Sequence, residues 1–148
     1  MRCLVQRVLS ASVSVSGETL GSVEKGYMIL LGVKNTDSKT VADKMVKKVL
    51  DARLFEDENG KTNLSIRDIS GSILLVSQFT LYANTKRGNR PSFIDAGDPA
   101  HAEKLYEYFM QRIREEGIPL QHGKFGADMQ VRLINDGPFT ILYDSDTL

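Results

Sequence analysis

Tyr27-Met28-Ile29-Leu30-Leu31-Gly32-Val33 is an unbroken apolar run, the pattern of a β-strand covered on both faces. Gly71-Ser72-Ile73-Leu74-Leu75-Val76-Ser77 reads as a second buried strand. Between the two, Val41, Met45 and Val49, with Ala42, Val46 and Leu50 alongside, form one apolar stripe at spacings of three and four. That stripe predicts a helix from about Lys39 to Arg53, with Thr36-Asp37-Ser38 supplying cap residues. Asn59-Gly60, between Leu54-Phe55 and Leu64, is a turn signal. Upstream, Arg2 to Ser10 is β-rich and Ala11 to Ser16 alternates small polar with apolar residues; Gly17 punctuates the run and Thr19 to Val23 returns as a strand. Downstream, Ser77 runs into Gln78-Phe79-Thr80-Leu81 and then a loop. Asp98-Pro99 opens a second helix, a capping carboxylate followed by proline at the first helical position. Its stripe is Ala102, Leu105, Tyr106, Phe109 and Ile113, and Gly117 stops it. Gly123 to Gly126 reads as a loop, Met129 to Ile134 as a strand, Asn135 to Pro138 as a turn and Phe139 to Tyr143 as a last strand. The sum is an α/β fold in one domain, 1–148, richer in strand than in helix.

Composition narrows the function. The chain has 148 residues, 41% hydrophobic and 26% charged, ordinary for a folded soluble domain. Lys plus Arg (19) balances Asp plus Glu (19), so no basic body drives binding to nucleic acid or membrane, and an RNA partner needs a local patch. Cys3 is the single cysteine, which excludes an intrachain disulfide, and with His101 and His122 alone beside it there is little material for zinc. No apolar run is long enough to span a bilayer, and no signal peptide is visible, so the expected location is the cytoplasm.

The usual catalytic parts are missing. No HExxH, GxSxG, P-loop or GxGxxG occurs, and the acids are scattered. His101 and His122 are expected to face solvent or cap. Two segments stand out. Ser77-Gln78-Phe79-Thr80-Leu81 places hydroxyls and an amide where a strand leaves the core, suited to a ligand or to satisfying their own backbone. Asn135-Asp136-Gly137-Pro138-Phe139-Thr140 is a turn, yet Gly-Pro is one of the few places where a cis peptide is cheap. Such a pair would aim two carbonyl oxygens the same way and could reject a substituent by steric exclusion.

Together the two segments resemble the signatures SQFTL and N-x-G-P-x-T of the D-aminoacyl-tRNA deacylases. Met1 to Val8, Lys86-Arg87-Gly88-Asn89-Arg90-Pro91-Ser92-Phe93 and Gly123 to Met129 agree in the same order along the chain. Phe139, where many members carry Val, is a mild departure that leaves Gly137-Pro138 untouched. The resemblance implies a layered β/β/α domain with two long helices. It also implies a homodimer with its sites at the subunit interface, without cofactor or metal. It implies hydrolysis of the ester joining a D-amino acid, or glycine, to the terminal adenosine of tRNA, with L-aminoacyl esters rejected. In that scheme Gln78, Phe79 and Thr80 carry catalysis. Ser77, Gly137, Pro138, Arg7 and Met129 shape the substrate site, Arg7 orienting Gly137-Pro138 across the interface.

An activated ester can be hydrolysed without histidine, by positioning and by oxyanion stabilisation from the N–H groups near Phe79 and Thr80. Water assisted by the ribose 2′-hydroxyl is then favoured over covalent attack by Thr80, which needs a base the sequence does not show. Lys86, Arg87 and Arg90, with no acid between Thr85 and Phe93, read either as tRNA contacts or as a solvated loop. Three rivals remain: an RNA-binding module, poorly served by 7% aromatic residues; a general esterase using Thr80 or Ser77; and the trans Gly-Pro branch of the family, which acts on L-alanine mischarged to tRNA.

Overall fold

The computed structural model describes residues 1–148. Its long first strand, β1 (Arg2–Val15), organises the rest. The first half of β1 pairs antiparallel with β3 (Gly26–Gly32), from Arg2 opposite Gly32 to Val8 opposite Gly26. The second half pairs with β2 (Glu18–Val23), from Ala11 opposite Val23 to Val15 opposite Glu18. Next to β3 lies β6 (Ser72–Ser77), in parallel, and next to β6 lies β7 (Leu120–His122), also parallel. Along the other edge of β1 runs β8 (Gln130–Asp144), antiparallel. The sheet curls until β2 meets β7: a Cβ on Gly21 would stand 3.1 Å from Gln121 Cβ and 3.2 Å from the His122 carbonyl. The result is a nearly closed barrel flanked by two helices, α1 (Lys39–Asp51) and α2 (Pro99–Glu115).

Both apolar runs are covered on both faces, as read from sequence. Tyr27, Ile29 and Leu31 of β3, with Ile73 and Leu75 of β6, pack under the helices against Met45, Leu50 and Phe109. Met28, Leu74 and Val76 point the other way, into a second core with Val8, Val13 and Val23. The close approach of β3 to β6 needs Gly26, where an added Cβ would lie 1.9 Å from the Ser72 carbonyl oxygen. The Asn59-Gly60 signal joins a small hairpin, β4 (Phe55–Glu56) and β5 (Thr62–Leu64).

Several expectations need correction. The first helix ends at Asp51, two residues early. Past the strand end, Phe79–Tyr82 winds into a 3₁₀ turn that the sequence reading did not name. Asp98 precedes α2 as expected, but its side chain accepts no capping bond. Expected to face solvent or cap, His122 instead ends a strand, and His101 is half-buried with its Nε2 enclosed and unpartnered. Asn135 to Pro138 does not reverse the chain, since both flanks pair with the same strand, β1. Asn135 stands opposite Val8 and Thr140 opposite Gln6, so Asp136 to Phe139 bulge out opposite Arg7 alone.

The Met1 ammonium is fully buried, 2.6 Å from Asp37 Oδ1 and 2.7 Å from Ser145 Oγ. The other Asp37 oxygen accepts the Lys34 N–H at 2.8 Å. This fixes the segment from Val33 to Asp37, one wall of the cavity described next. No helix is long and apolar enough to cross a membrane.

Candidate active site

The parallel pairing of β3 and β6 brings Leu31 level with Ser77, and the Gln78 N–H donates to the Leu31 carbonyl at 2.8 Å. The strand ends there because the chain turns over Gly32, where a Cβ would crowd Leu81 at 3.0 Å. Ser77, Gln78 and Phe79 therefore emerge at the lip of a mainly apolar cavity of about 780 Å³. Phe93, Phe125 and Met129 line it too, and Phe93 meets Phe79 edge-on at 5.1 Å. Its far wall is the start of α2, tied to the Val33–Asp37 segment by Gly97 N–H to the Val33 carbonyl (2.8 Å) and Asp98 N–H to Asn35 Oδ1 (2.7 Å).

The 3₁₀ turn opens with the N–H groups of Phe79 and Thr80, and neither donates to a group of the protein. They are free to receive an anionic oxygen. Thr80 is exposed, and its hydroxyl accepts from Gln78 Nε2. An amide nitrogen has no lone pair available to take a proton, so this neighbour cannot serve as a base.

Gly137 and Pro138 do not line this cavity. They sit on the bulge of β8, exposed, joined by a cis peptide bond, with Gly137 at φ 132°. The N-x-G-P-x-T pattern has a local logic. Asn135 Oδ1 accepts the Phe139 N–H at 2.8 Å and Asn135 Nδ2 donates to Thr140 Oγ1 at 2.8 Å, closing the bulge with one side chain. Arg7, only 6% exposed, supports it from beneath. Its Nε donates to the Asp136 carbonyl at 3.1 Å, a terminal nitrogen donates to the Leu54 carbonyl at 2.8 Å, and the guanidinium lies 4.6 Å from the Phe139 ring centroid. Within its own chain Arg7 thus ties the Gly137-Pro138 bulge to the segment that follows α1. Sequence reading gave no role to Asn135 or Thr140 within the second segment, although the fixed spacing of an amide and a hydroxyl around Gly-Pro is a usable sign of such a brace.

Lys86, Arg87 and Arg90 are exposed on the loop beyond the 3₁₀ turn, and none is paired with an acid. The loop is pinned at its neck by Asn84 and Ser92, whose backbones exchange bonds of 2.7 and 2.9 Å. Ser77, Gln78, Phe79 and Met129 are therefore brought together, Thr80 stands beside them, and Arg7, Gly137 and Pro138 form a separate cluster. Sequence reading missed the rest of the cavity wall, Asn35, Phe93, Phe125 and the start of α2. Phe93 and Phe125 lie in stretches that match the family, but nothing local shows that they share a cavity, because distant segments supply its wall.

Both the sequence and the fold match known proteins. The family model described as D-Tyr-tRNA(Tyr) deacylase matches residues 4–144. A D-aminoacyl-tRNA deacylase of Lactobacillus helveticus is 52% identical over 144 residues, 97% of this chain and 99% of its own. One from Thermosipho melanesiensis is 52% identical over 146 residues, 98% and 97% of the two chains. The solved structure of a c-Myc DNA Unwinding Element Binding Protein superposes with a TM-score of 0.92 at 42% identity, covering 97% of this chain and 98% of that one. A probable eukaryotic D-amino acid tRNA deacylase shares the fold, with a TM-score of 0.83 at 17% identity over 96% and 97% of the chains. The match of the family model over nearly the whole chain, with two relatives at 52% identity, shows that this chain belongs to the D-Tyr-tRNA(Tyr) deacylase family.

Proposed function

We propose that the protein hydrolyses the ester between a D-amino acid and the terminal adenosine of tRNA, removes glycine in the same way, and spares L-aminoacyl esters. The observation that carries this reading is the pair of unengaged N–H groups of Phe79 and Thr80 at the lip of the apolar cavity. The cavity receives the adenosine between aromatic side chains, as unstacked RNA ends are commonly held. The ester carbonyl then meets the two donors, and its developing negative charge is stabilised there. Water attacks the carbonyl carbon and gives up a proton, which the adjacent 2′-hydroxyl relays to the ribose oxygen as the carbonyl re-forms and the acyl C–O bond breaks. Gln78 holds the Thr80 hydroxyl and so fixes the turn. No cofactor enters the scheme.

Chirality is handled by exclusion. One methylene of binding difference discriminates by only about ten- to two-hundred-fold, whereas the carbonyls of Gly137 and Pro138, on a bulge braced by Arg7 and Asn135, leave an L side chain no room. Glycine has nothing to exclude. In one chain Gly137 and Pro138 lie away from the cavity yet stand exposed. This supports a homodimer in which they enter the site of the second subunit. Leu9, Ile134 and Leu142, about half exposed on β1 and β8, supply apolar surface for that contact. Lys86, Arg87 and Arg90 meet the phosphates of the acceptor end, and the enzyme works in the cytoplasm, where its substrate is made.

The deciding experiment is deacylation of matched D-tyrosyl- and L-tyrosyl-tRNA without added metal. Loss of the D ester with the L ester spared is expected. Loss of both would refute the role given to Gly137-Pro138. Binding of tRNA without hydrolysis of either would favour a binding module, a reading favoured by the relative at 42% identity named for binding a DNA unwinding element.

A further inference from the structure

Beside the apolar cavity lies a second one of about 530 Å³, lined chiefly by polar side chains and within the range of about 300–1,000 Å³ usual for ligand sites. Asn35 lines both cavities. Val33 and Ala96 face the apolar one, while their chain neighbours Lys34 and Asp95 face the polar one. Two short loops thus form a shared partition. A strand of RNA whose last base fills the apolar cavity reaches the polar one across Asn35.

The charges there are unevenly satisfied. Lys34 is bonded to Asp146 at 2.6 Å, and Arg2 to Asp144 at 2.9 Å. Lys86 has no carboxylate partner, and the Asp95 carboxylate receives only one long bond, 3.5 Å from Asn84 Nδ2. The cavity therefore offers an unpaired cation and an open carboxylate acceptor among neutral amides and hydroxyls. A phosphate suits the first. An exocyclic amine suits the second: a carboxylate accepts from cytosine N4, and meets repulsion from the carbonyl that uracil carries in its place. In tRNA the nucleotide before the terminal adenosine is cytidine.

We propose that the polar cavity is the subsite for this penultimate cytidine, with Asp95 accepting from its N4 amine and Lys86 facing its phosphate. The proposal rests on the reading of the apolar cavity as the adenosine site. It gives the enzyme a second check on the acceptor end, made by base-edge chemistry where single-stranded RNA is normally read.

The test uses full-length tRNA, chemically acylated with D-tyrosine and ending either in CCA or in CUA, with kcat/KM measured on both. The CCA ester is expected to react about tenfold faster, and Asp95→Asn, whose amide can meet either base, is expected to bring the ratio near one. Lys86→Ala is expected to lower both rates and keep the ratio, because a phosphate contact carries no base information. Equal rates on the two tRNAs with the wild-type protein would overturn the subsite and leave the deacylase intact. A preference that survives Asp95→Asn would overturn the assignment to Asp95, and a ratio moved by Lys86→Ala the assignment to Lys86. No hydrolysis of either D ester would overturn the deacylase reading and the subsite with it.

Discussion

The hydrogen bond on the Thr80 hydroxyl supports the proposed attack by water over attack by Thr80. A threonine nucleophile needs a partner that removes its proton, and here its hydroxyl takes a bond from the amide of Gln78. Thr80→Val is therefore expected to keep most of the single-turnover rate on D-tyrosyl-tRNA, while a collapse of several orders would restore covalent attack. Asn135 works at the same scale. Replacing it with alanine removes two hydrogen bonds that close the bulge, at a net loss of about 1–3 kcal/mol in urea unfolding. The same variant is expected to hydrolyse the L ester faster relative to the D ester, because the carbonyls of Gly137 and Pro138 lose their brace.

Among the elements, the parallel contact of β3 with β6 is the tightest constraint. Gly26→Ala drives a methyl group into the Ser72 carbonyl, so a loss of about 3 kcal/mol or more is expected, read as a lowered thermal midpoint. This pair was legible in the sequence, since its strands bury both faces and carry near-continuous apolar residues. The helices were legible for a related reason, their stripes recurring at helical spacing. β7 was not: Leu120-Gln121-His122 is short and mostly polar, and it becomes a strand only because β6 pairs with it. Nor was the continuity of β8. Gly-Pro is a strong local turn signal, while the pairing of both flanks with β1 is a long-range fact. Asp98 marked the start of α2 correctly, though Asn35 rather than its own side chain engages that end.

For the whole molecule, the two signatures could be read from sequence, but the cavity could not. Its wall comes from four stretches, near residues 31–35, 76–79, 93–106 and 125–131, brought together by strand order and by α2. Surface electrostatics give two checks at this scale. Asp51, held by Lys47 and Arg67, and Asp57 and Asp68, held chiefly by backbone N–H groups of Lys61 and Ser65, titrate below the ordinary carboxylate range. A carboxyl depressed by folding contributes stability above its unfolded pKa, near about 4, and loses it as pH falls through its folded value. Melting temperature should thus stay level from neutral pH to about pH 5 and drop on further acidification. Removing Lys86, Arg87 or Arg90 should each flatten the salt dependence of tRNA affinity by about one counterion.

The bulge opposite Arg7 has a consequence for how such an enzyme can change. Asn135 and Thr140 keep step with Val8 and Gln6 although four residues stand between them opposite Arg7 alone. The four residues between them, which include the proposed chiral filter Gly137-Pro138, are an inset, carried by the barrel without setting its rhythm. Sequence drift inside the inset can retune which mirror image is admitted while the barrel goes on folding as before.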